Sequence, residues 1–259
     1  MTDLWTREGK EQQLYELYEK WADCAACPLS ATRTNVVFGQ GNPEAKILFC
    51  GEAPGHDEDS EGSPFVGKSG QLLRKLVHAA GIDWDDLYVT NIVGCNPVDD
   101  KNNNREPRVT ERDACLPRVQ QIIYIVDPWL IVPVGKFALQ SLAKGRNWPI
   151  TDVRGKLFSS PHPDMKTNGD DNSTEIPGGI AKVFPRRAEN KKEHYLEYDM
   201  IPILHPAYLL REDEADENKK LKPDGVTMKT LNDLRHIKDY VAELEKAYNV
   251  IPTFNRRQA

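Results

Sequence analysis

Four cysteines, a glycine-flanked turn, an asparagine and a histidine are the parts of this sequence whose types and spacing can do chemistry. Cys24 and Cys27 form a C-x-x-C pair, Cys95 closes an apolar run, and Cys115 lies beyond a polar, Asn-rich stretch. Four thiolates can hold either a tetrahedral zinc or an iron–sulfur cluster. A second C-x-x-C would favour a zinc ribbon, and none is present; one close pair with two isolated cysteines is compatible with a cluster. Spacing alone does not choose between them, and it also admits ordinary reduced thiols. The fifth cysteine, Cys50, sits inside an apolar run and reads as a core thiol. An odd cysteine count makes a disulfide framework a poor reading.

Three further elements can converge on a ligand. In the turn Gly51-Glu52-Ala53-Pro54-Gly55, the glycines let backbone N–H groups approach a bound molecule closely. Asn91 closes a predicted strand, and a carboxamide can pair with both a donor and an acceptor on the edge of a base. His205, in His205-Pro-Ala-Tyr-Leu-Leu-Arg211, also follows a strand. A histidine there can donate to an oxygen that gains negative charge. Phe65, in Ser-Pro-Phe-Val-Gly, is a loop aromatic able to stack on a base. Taken singly, each has a plainer reading: a strand–loop transition, a loop-capping amide, a satisfied polar ring, a core aromatic.

The elements that must position these groups follow from periodicity. Helical spacing predicts helices over 3–23, 71–80, 112–126, 136–143 and 231–248. Short apolar runs at 45–50, 87–93, 129–134 and 200–204 read as buried strands. Residues 96–108 and 211–226 read as polar loops. Strands alternating with helices predict an α/β domain, a central mostly parallel sheet flanked by helices. In such sheets ligands sit at the carboxyl ends of the strands, where the turn at 51–55, Asn91 and His205 all fall. Residues 1–259 read as one domain. Within it, 159–199 is rich in Ser, Pro, Asn, Asp, Gly and Lys and reads as a surface insertion, with a hairpin around 181–184 and 195–198. It carries Arg186, Arg187, Lys191 and Lys192, which suit a DNA contact, a partner contact or a solvated loop.

Composition sets the outer bounds. Hydrophobic residues make up 39% of the chain, enough for a packed core. No run approaches the ~18 apolar residues that a membrane span needs. The first twenty residues lack the apolar segment of a signal peptide, so a soluble, cytoplasmic protein is expected, with no membrane partner. The net charge of −6 argues against nonspecific coating of DNA, but leaves room for one local basic face.

Several strings occur together in one order: Cys24-x-x-Cys27-Pro-Leu, Val37-Phe-Gly-x-Gly-Asn-Pro43, Gly51-Glu-Ala-Pro-Gly55, Pro64-Phe-Val-Gly-Lys-Ser-Gly-Gln-Leu-Leu73, Thr90-Asn-Ile-Val-Gly-Cys95 and His205-Pro-Ala-Tyr-Leu-Leu-Arg211. Together they resemble the family 4 uracil-DNA glycosylases, over about residues 20–158 and 200–245. The resemblance implies a uracil-DNA glycosylase-like fold and a structural [4Fe–4S] cluster on Cys24, Cys27, Cys95 and Cys115. It implies a monomeric hydrolase that flips uracil out of DNA and cuts its N-glycosidic bond in base excision repair. Under that resemblance His205 stabilises the uracil oxygen O2, aided by the turn that holds Ala53 and Gly55. Asn91 reads the base edge, Phe65 stacks on the base, and Glu52 positions the water or favours the cationic sugar. Leu209 and Leu210 wedge into the duplex, and Arg211 meets a phosphate. Ala53 stands where the better-known family 1 enzymes carry an aspartate, which leaves the water's handler to Glu52. The insertion at 159–199 is longer than the family leads one to expect. Other readings are a non-catalytic nucleic-acid-binding protein on the same fold, a glycosylase of different base preference, and a zinc-binding α/β protein.

Overall fold

A computed structural model describes residues 4–143, 148–159, 198–214 and 224–250. The elements run α1 (Arg7–Ala22), a short 3-10 turn (Pro28–Ala31), β1 (Gln40–Gly41), β2 (Ile47–Gly51), α2 (His56–Glu61) and α3 (Lys68–Ala79). A second 3-10 turn (Trp84–Asp86) leads into β3 (Leu87–Asn91), then α4 (Val109–Val126), β4 (Leu130–Pro133), α5 (Lys136–Leu142) and α6 (Ile150–Val153). The remainder are β5 (Phe158–Ser159), β6 (Asp199–Met200), α7 (Pro206–Glu214) and α8 (Val226–Val250).

One six-stranded sheet has the order β1-β3-β2-β4-β6-β5. The inner strands pair in parallel, and the edge strands β1 and β5 pair antiparallel, so the sheet is mixed. Every residue of β2, β3 and β4 is buried. Burial on both faces is why these strands read as continuous apolar runs rather than alternating ones. The pleat sorts them into two cores. Leu48, Cys50, Tyr88, Ile131 and Met200 face α1, α4 and α5. Ile47, Phe49, Leu87, Val89, Leu130 and Val132 face α3, α7 and α8.

Register fixes where the site lies. Gly51 pairs with Asn91, and Cys50 with Pro133, so β2, β3 and β4 end at one level. A bridge between Val134 and Ile203 brings the chain past β6 to the same edge, two residues short of His205.

Some boundaries depart from the sequence expectation. Helix α3 starts at Lys68 and α4 at Val109, each about a turn early. Glu111 explains the second case: it accepts the Arg108 N–H at 2.7 Å and caps the helix. The 96–108 loop carries a small bridge, Val98 to Asn104, closed around Asp99. The run expected as a 200–204 strand forms ladder pairs at Asp199–Met200 and one bridge beyond, because Pro202 has no N–H to donate. The segment after Arg211 is helical through Glu214 rather than loop. The insertion and its expected hairpin lie outside the described residues, save Tyr198 and the strand residues that flank them.

Candidate active site

A cleft of about 930 Å³ opens at the carboxyl edge of the sheet. Its wall includes Glu52, Ala53, Gly55, Phe65, Asn91, His205 and Arg211. Seven of the nine residues given a catalytic or substrate role from sequence therefore share one cavity.

The floor is built at the strand ends. Asn91 is the last residue of β3 and is 3% exposed, yet its carboxamide has no hydrogen-bond partner among the described residues. Buried amides are ordinarily paired, so an unpartnered one at a cavity wall is a group kept open. Glycine at 51 is required for it: a Cβ there would stand 2.2 Å from Asn91 Oδ1 and 2.8 Å from the tip of the Phe65 ring. Phe65 itself is 7% exposed, with its ring edge on Trp84. Its φ of 57° is a left-handed conformation that a side chain adopts only when its surroundings force it. Arg74 helps, donating to the Phe65 carbonyl at 3.3 Å while lying over the Trp84 ring.

His205 immediately precedes helix α7. Its Nδ1 accepts the Ala207 N–H at 3.2 Å, which leaves the ring proton on Nε2. Burial, with the Arg211 guanidinium nearby, pushes its pKa down to about 4, so the ring is neutral at physiological pH. Gly135 makes room for it. At φ 92° it lies beneath the ring, where a Cβ would stand 2.9 Å from that of His205.

Two glutamates of the cleft differ. The Glu52 carboxylate accepts no hydrogen bond among the described residues, and burial together with Glu106 pushes its pKa up to about 7, against the pull of Arg112. Glu58 is saturated: Oε2 accepts Gly55 N–H at 3.0 Å, and Oε1 accepts Val66 and Gly67 N–H at 3.0 and 2.8 Å. It ties the 51–55 turn to the Phe65 loop. Asp59 next to it accepts the Thr34 and Asn35 N–H groups, holding the segment that follows the C-x-x-C pair.

At the rim, Lys68, Lys136 and Arg211 are exposed, and none forms an ion pair among the described residues. They share the cleft lining with the exposed carboxylates of Asp57 and Glu106.

The leucine pair of α7 divides. Leu209 is fully buried in the core beneath the sheet face that α3 and α8 cover, which overturns its expected wedge role. Helical spacing turns position 209 toward the sheet, and burial of an aliphatic side chain there is worth about 2 kcal/mol. Leu210 is half-buried on the next face round, and Arg211 is exposed.

The cysteines come from three elements. Cys24 and Cys27 follow α1, Cys95 follows β3, and Cys115 lies in the second turn of α4. Among the described residues no three Cys, His, Asp or Glu side chains stand at metal-ligating spacing. The thiols nonetheless feel one another. Burial holds the Cys27 thiol above its usual range, and Cys115, Glu111 and Cys24 add to that. Burial pushes Cys95 up to about 11, opposed by Arg33 and reinforced by Cys115 and Cys27. Arg33 Nη1 reaches Cys95 Sγ at 3.7 Å and the Cys24 carbonyl at 2.6 Å, and the Ala26 N–H lies 3.5 Å from Cys24 Sγ. The four thiols are free, and N–H donors reach Cys24 and Cys95; an all-sulfur donor set is one that either zinc or an iron–sulfur group can take.

Sequence reasoning missed Glu58, Gly135 and Arg118. Glu58 was legible, since a glutamate three residues after a helix N-cap is a capping signature. Arg118, fully buried in α4, had no signal; an arginine in an amphipathic helix reads as solvent-facing.

A sequence profile of the uracil DNA glycosylase superfamily matches residues 38–225. The type-4 uracil-DNA glycosylase of Thermotoga maritima is 37% identical over 208 residues, covering 80% of this chain and 87% of that protein. That of Archaeoglobus fulgidus is 37% identical over 150 residues, covering 57% and 73%. That of Sulfurisphaera tokodaii is 40% identical over 149 residues, covering 56% and 66%. The match takes in the turn at 51–55, the Asn91 strand end and the His205 helix start, and the chain belongs to the uracil DNA glycosylase superfamily.

Proposed function

We propose that this protein is a monofunctional uracil-DNA glycosylase, hydrolysing the bond between uracil and deoxyribose as the first step of base excision repair. The observation that carries the reading is the pairing, in one cleft, of a neutral histidine with its proton on Nε2 and a buried asparagine amide left without a partner. A uracil edge offers both donor and acceptor to such an amide, whereas cytosine reverses the pattern at the same positions.

The roles follow from charge. The target nucleotide leaves the stack at a cost of a few kcal/mol and enters the cleft. As C1′–N1 breaks, its electron pair goes to uracil, and O2 gains negative charge. His205 Nε2–H donates to that oxygen, and because the imidazole is neutral it stabilises the anion by a hydrogen bond without giving up its proton. Asn91 holds the pyrimidine edge and Phe65 packs on the ring. Glu52 as carboxylate orients water toward C1′ and accepts its proton while the new C1′–O bond forms; the uracil anion takes a proton on release. Ala53 and Gly55 shape the turn beside the base. Lys68, Lys136 and Arg211 suit phosphates flanking the flipped nucleotide, and Leu210 remains as the wedge residue.

Cys24, Cys27, Cys95 and Cys115 are proposed to hold a [4Fe–4S] cluster. When bound, it would supply a cross-link between the segment after α1, the end of β3 and helix α4. The reading extends to a single-domain monomer acting on uracil-containing DNA in the cytoplasm. None of the described helices is long and apolar enough to cross a membrane.

A strand-cleavage assay tests the activity. Purified protein is incubated with an oligonucleotide carrying one uracil, then with alkali to cut abasic sites; a thymine strand serves as control. Cleavage confined to the uracil strand, and lost in His205→Ala and Asn91→Ala, is expected. DNA binding without any abasic product would leave the non-catalytic reading in its place.

A further inference from the structure

Arg118 is fully buried in α4, and among the described residues no carboxylate lies within ion-pairing reach of it. A charge taken out of water without a counter-ion is among the costliest things a core can contain. Its guanidinium is met instead by backbone. Nη2 donates to the carbonyls of Asn91 at 2.5 Å and Ile92 at 3.4 Å. Nη1 donates to the Phe38 carbonyl and, at 3.3 Å, to Thr90 Oγ1. Thr90 Oγ1 in turn donates to the same Phe38 carbonyl at 2.8 Å. Nε has no hydrogen-bond partner among the described residues.

Three of the four acceptors belong to Thr90, Asn91 and Ile92, the end of β3. Asn91 is the last residue of β3, and just beyond it the Ile92 and Val93 N–H groups bond to the Gly51 and Glu52 carbonyls. The carbonyls of Asn91 and Ile92 are the ones the guanidinium takes, on the residue whose carboxamide must be aimed. A planar fork with several fixed donors can hold two successive carbonyls at once; a lysine ammonium cannot do so with the same geometry.

We propose that Arg118 is a positioning residue for base selection: it clamps the Asn91 peptide from behind, and so fixes the direction of the carboxamide on the cleft side. Arg118 touches no substrate and acts only through Asn91. The inference rests on the reading of Asn91 as the residue that pairs with the uracil edge. Arg118 also lies one turn beyond Cys115 on the same helix, so the clamp ties the cysteine corner to the floor of the cleft.

The test uses the full-length protein with whatever group it carries on purification. Free uracil is titrated as a competitive inhibitor against a uracil-containing oligonucleotide, and its Ki is read; a merely lower fraction of folded enzyme does not move that constant. Affinity for an oligonucleotide with an abasic-site analogue is measured beside it. Arg118→Met is expected to raise the Ki for uracil on the order of 10- to 100-fold, the scale of a misplacement near 1 Å. Arg118→Lys should fall between it and the wild type, and affinity for the abasic strand should hold in both. Thr90→Val keeps Arg118 but removes one acceptor; it should raise the Ki in the same direction by less, and it decides the matter should Arg118→Met not fold. Asn91→Asp is run in parallel. If Asn91→Asp raises the Ki while Arg118→Lys and Thr90→Val leave it unchanged, the clamp is wrong and the reading of Asn91 survives. If Asn91→Asp leaves it unchanged, that reading falls, and the clamp with it.

Discussion

The loop from Gly55 to Gly67 and the cleft floor beside it are built from similar residues and treated in opposite ways. In the loop, Glu58 accepts three backbone N–H groups and is spent on structure. On the floor, the Glu52 carboxylate accepts none among the described residues, sits near a second carboxylate, and has its pKa pushed up to about 7. Asn91 likewise keeps its amide open. Glu111 resembles Glu58: two Arg105 nitrogens, at 2.9 and 2.7 Å, and the Arg108 N–H saturate it. The carboxylates of Glu58 and Glu111 are saturated, and the side chains of Glu52 and Asn91 at the cleft have no hydrogen-bond partner among the described residues. A group's unmet hydrogen bonds, more than its residue type, mark what it is for.

The largest effect expected on the open side is that of His205→Ala. Loss of one donor to a developing anion should lower kcat on the order of 100- to 1,000-fold in single-turnover uracil excision, while melting temperature barely moves. On the closed side the counterpart is Leu209→Ala. It should cost about 3 kcal/mol in urea unfolding, as buried leucine truncations do, whereas Leu210→Ala should leave stability nearly unchanged and weaken duplex binding. An equal stability loss in both would break the division of that pair.

The two glutamates sharpen the comparison, because the same substitution should act with opposite signs. Glu58→Gln leaves N–H groups unpaired and should destabilise by about 2 kcal/mol. For Glu52 the folded pKa lies above the unfolded value, so its contribution is present at low pH and is lost as pH rises from about 4.5 through about 7. Glu52→Gln should therefore be more stable than the wild type above pH 7, on the order of 2 kcal/mol, and nearly inactive. Urea titrations at pH 5 and pH 8 separate the two.

The smallest effect is one of shape. With Glu52 acting as carboxylate, kcat should rise with pH along a single limb centred near 7. His205, with a pKa of about 4, should contribute no limb above about pH 5. A second limb near 6.5 would mean that His205 titrates as an ordinary surface histidine.

Much of the molecule was legible in its residues. The apolar runs announced β2, β3 and β4 because strands buried on both faces have no polar positions to blur them. The order of the strings around Gly51, Asn91 and His205 placed them at the carboxyl ends of parallel strands, and register in fact levels Gly51 with Asn91. Boundaries were less legible where a cap or a proline decided them, as at Glu111 and Pro202. Leu209 and Leu210 were indistinguishable in sequence, since two adjacent leucines differ only by the 100° that a helix turns between them.

The sequence by itself determined which chemistry the chain can carry: thiolates for a metal group, an amide and an imidazole at strand ends, and a carboxylate in a glycine-flanked turn. Residue type and local spacing suffice for that, because they are properties of the chain. Only the tertiary structure decided which groups stay open and which are consumed. Glu58 is satisfied by Val66 and Gly67, the His205 ring is seated on Gly135, and the Asn91 peptide is clamped by Arg118 from 27 residues away. Hydrogen-bond satisfaction and burial depend on neighbours distant in sequence, and it is those neighbours that separate an open glutamate from a saturated one.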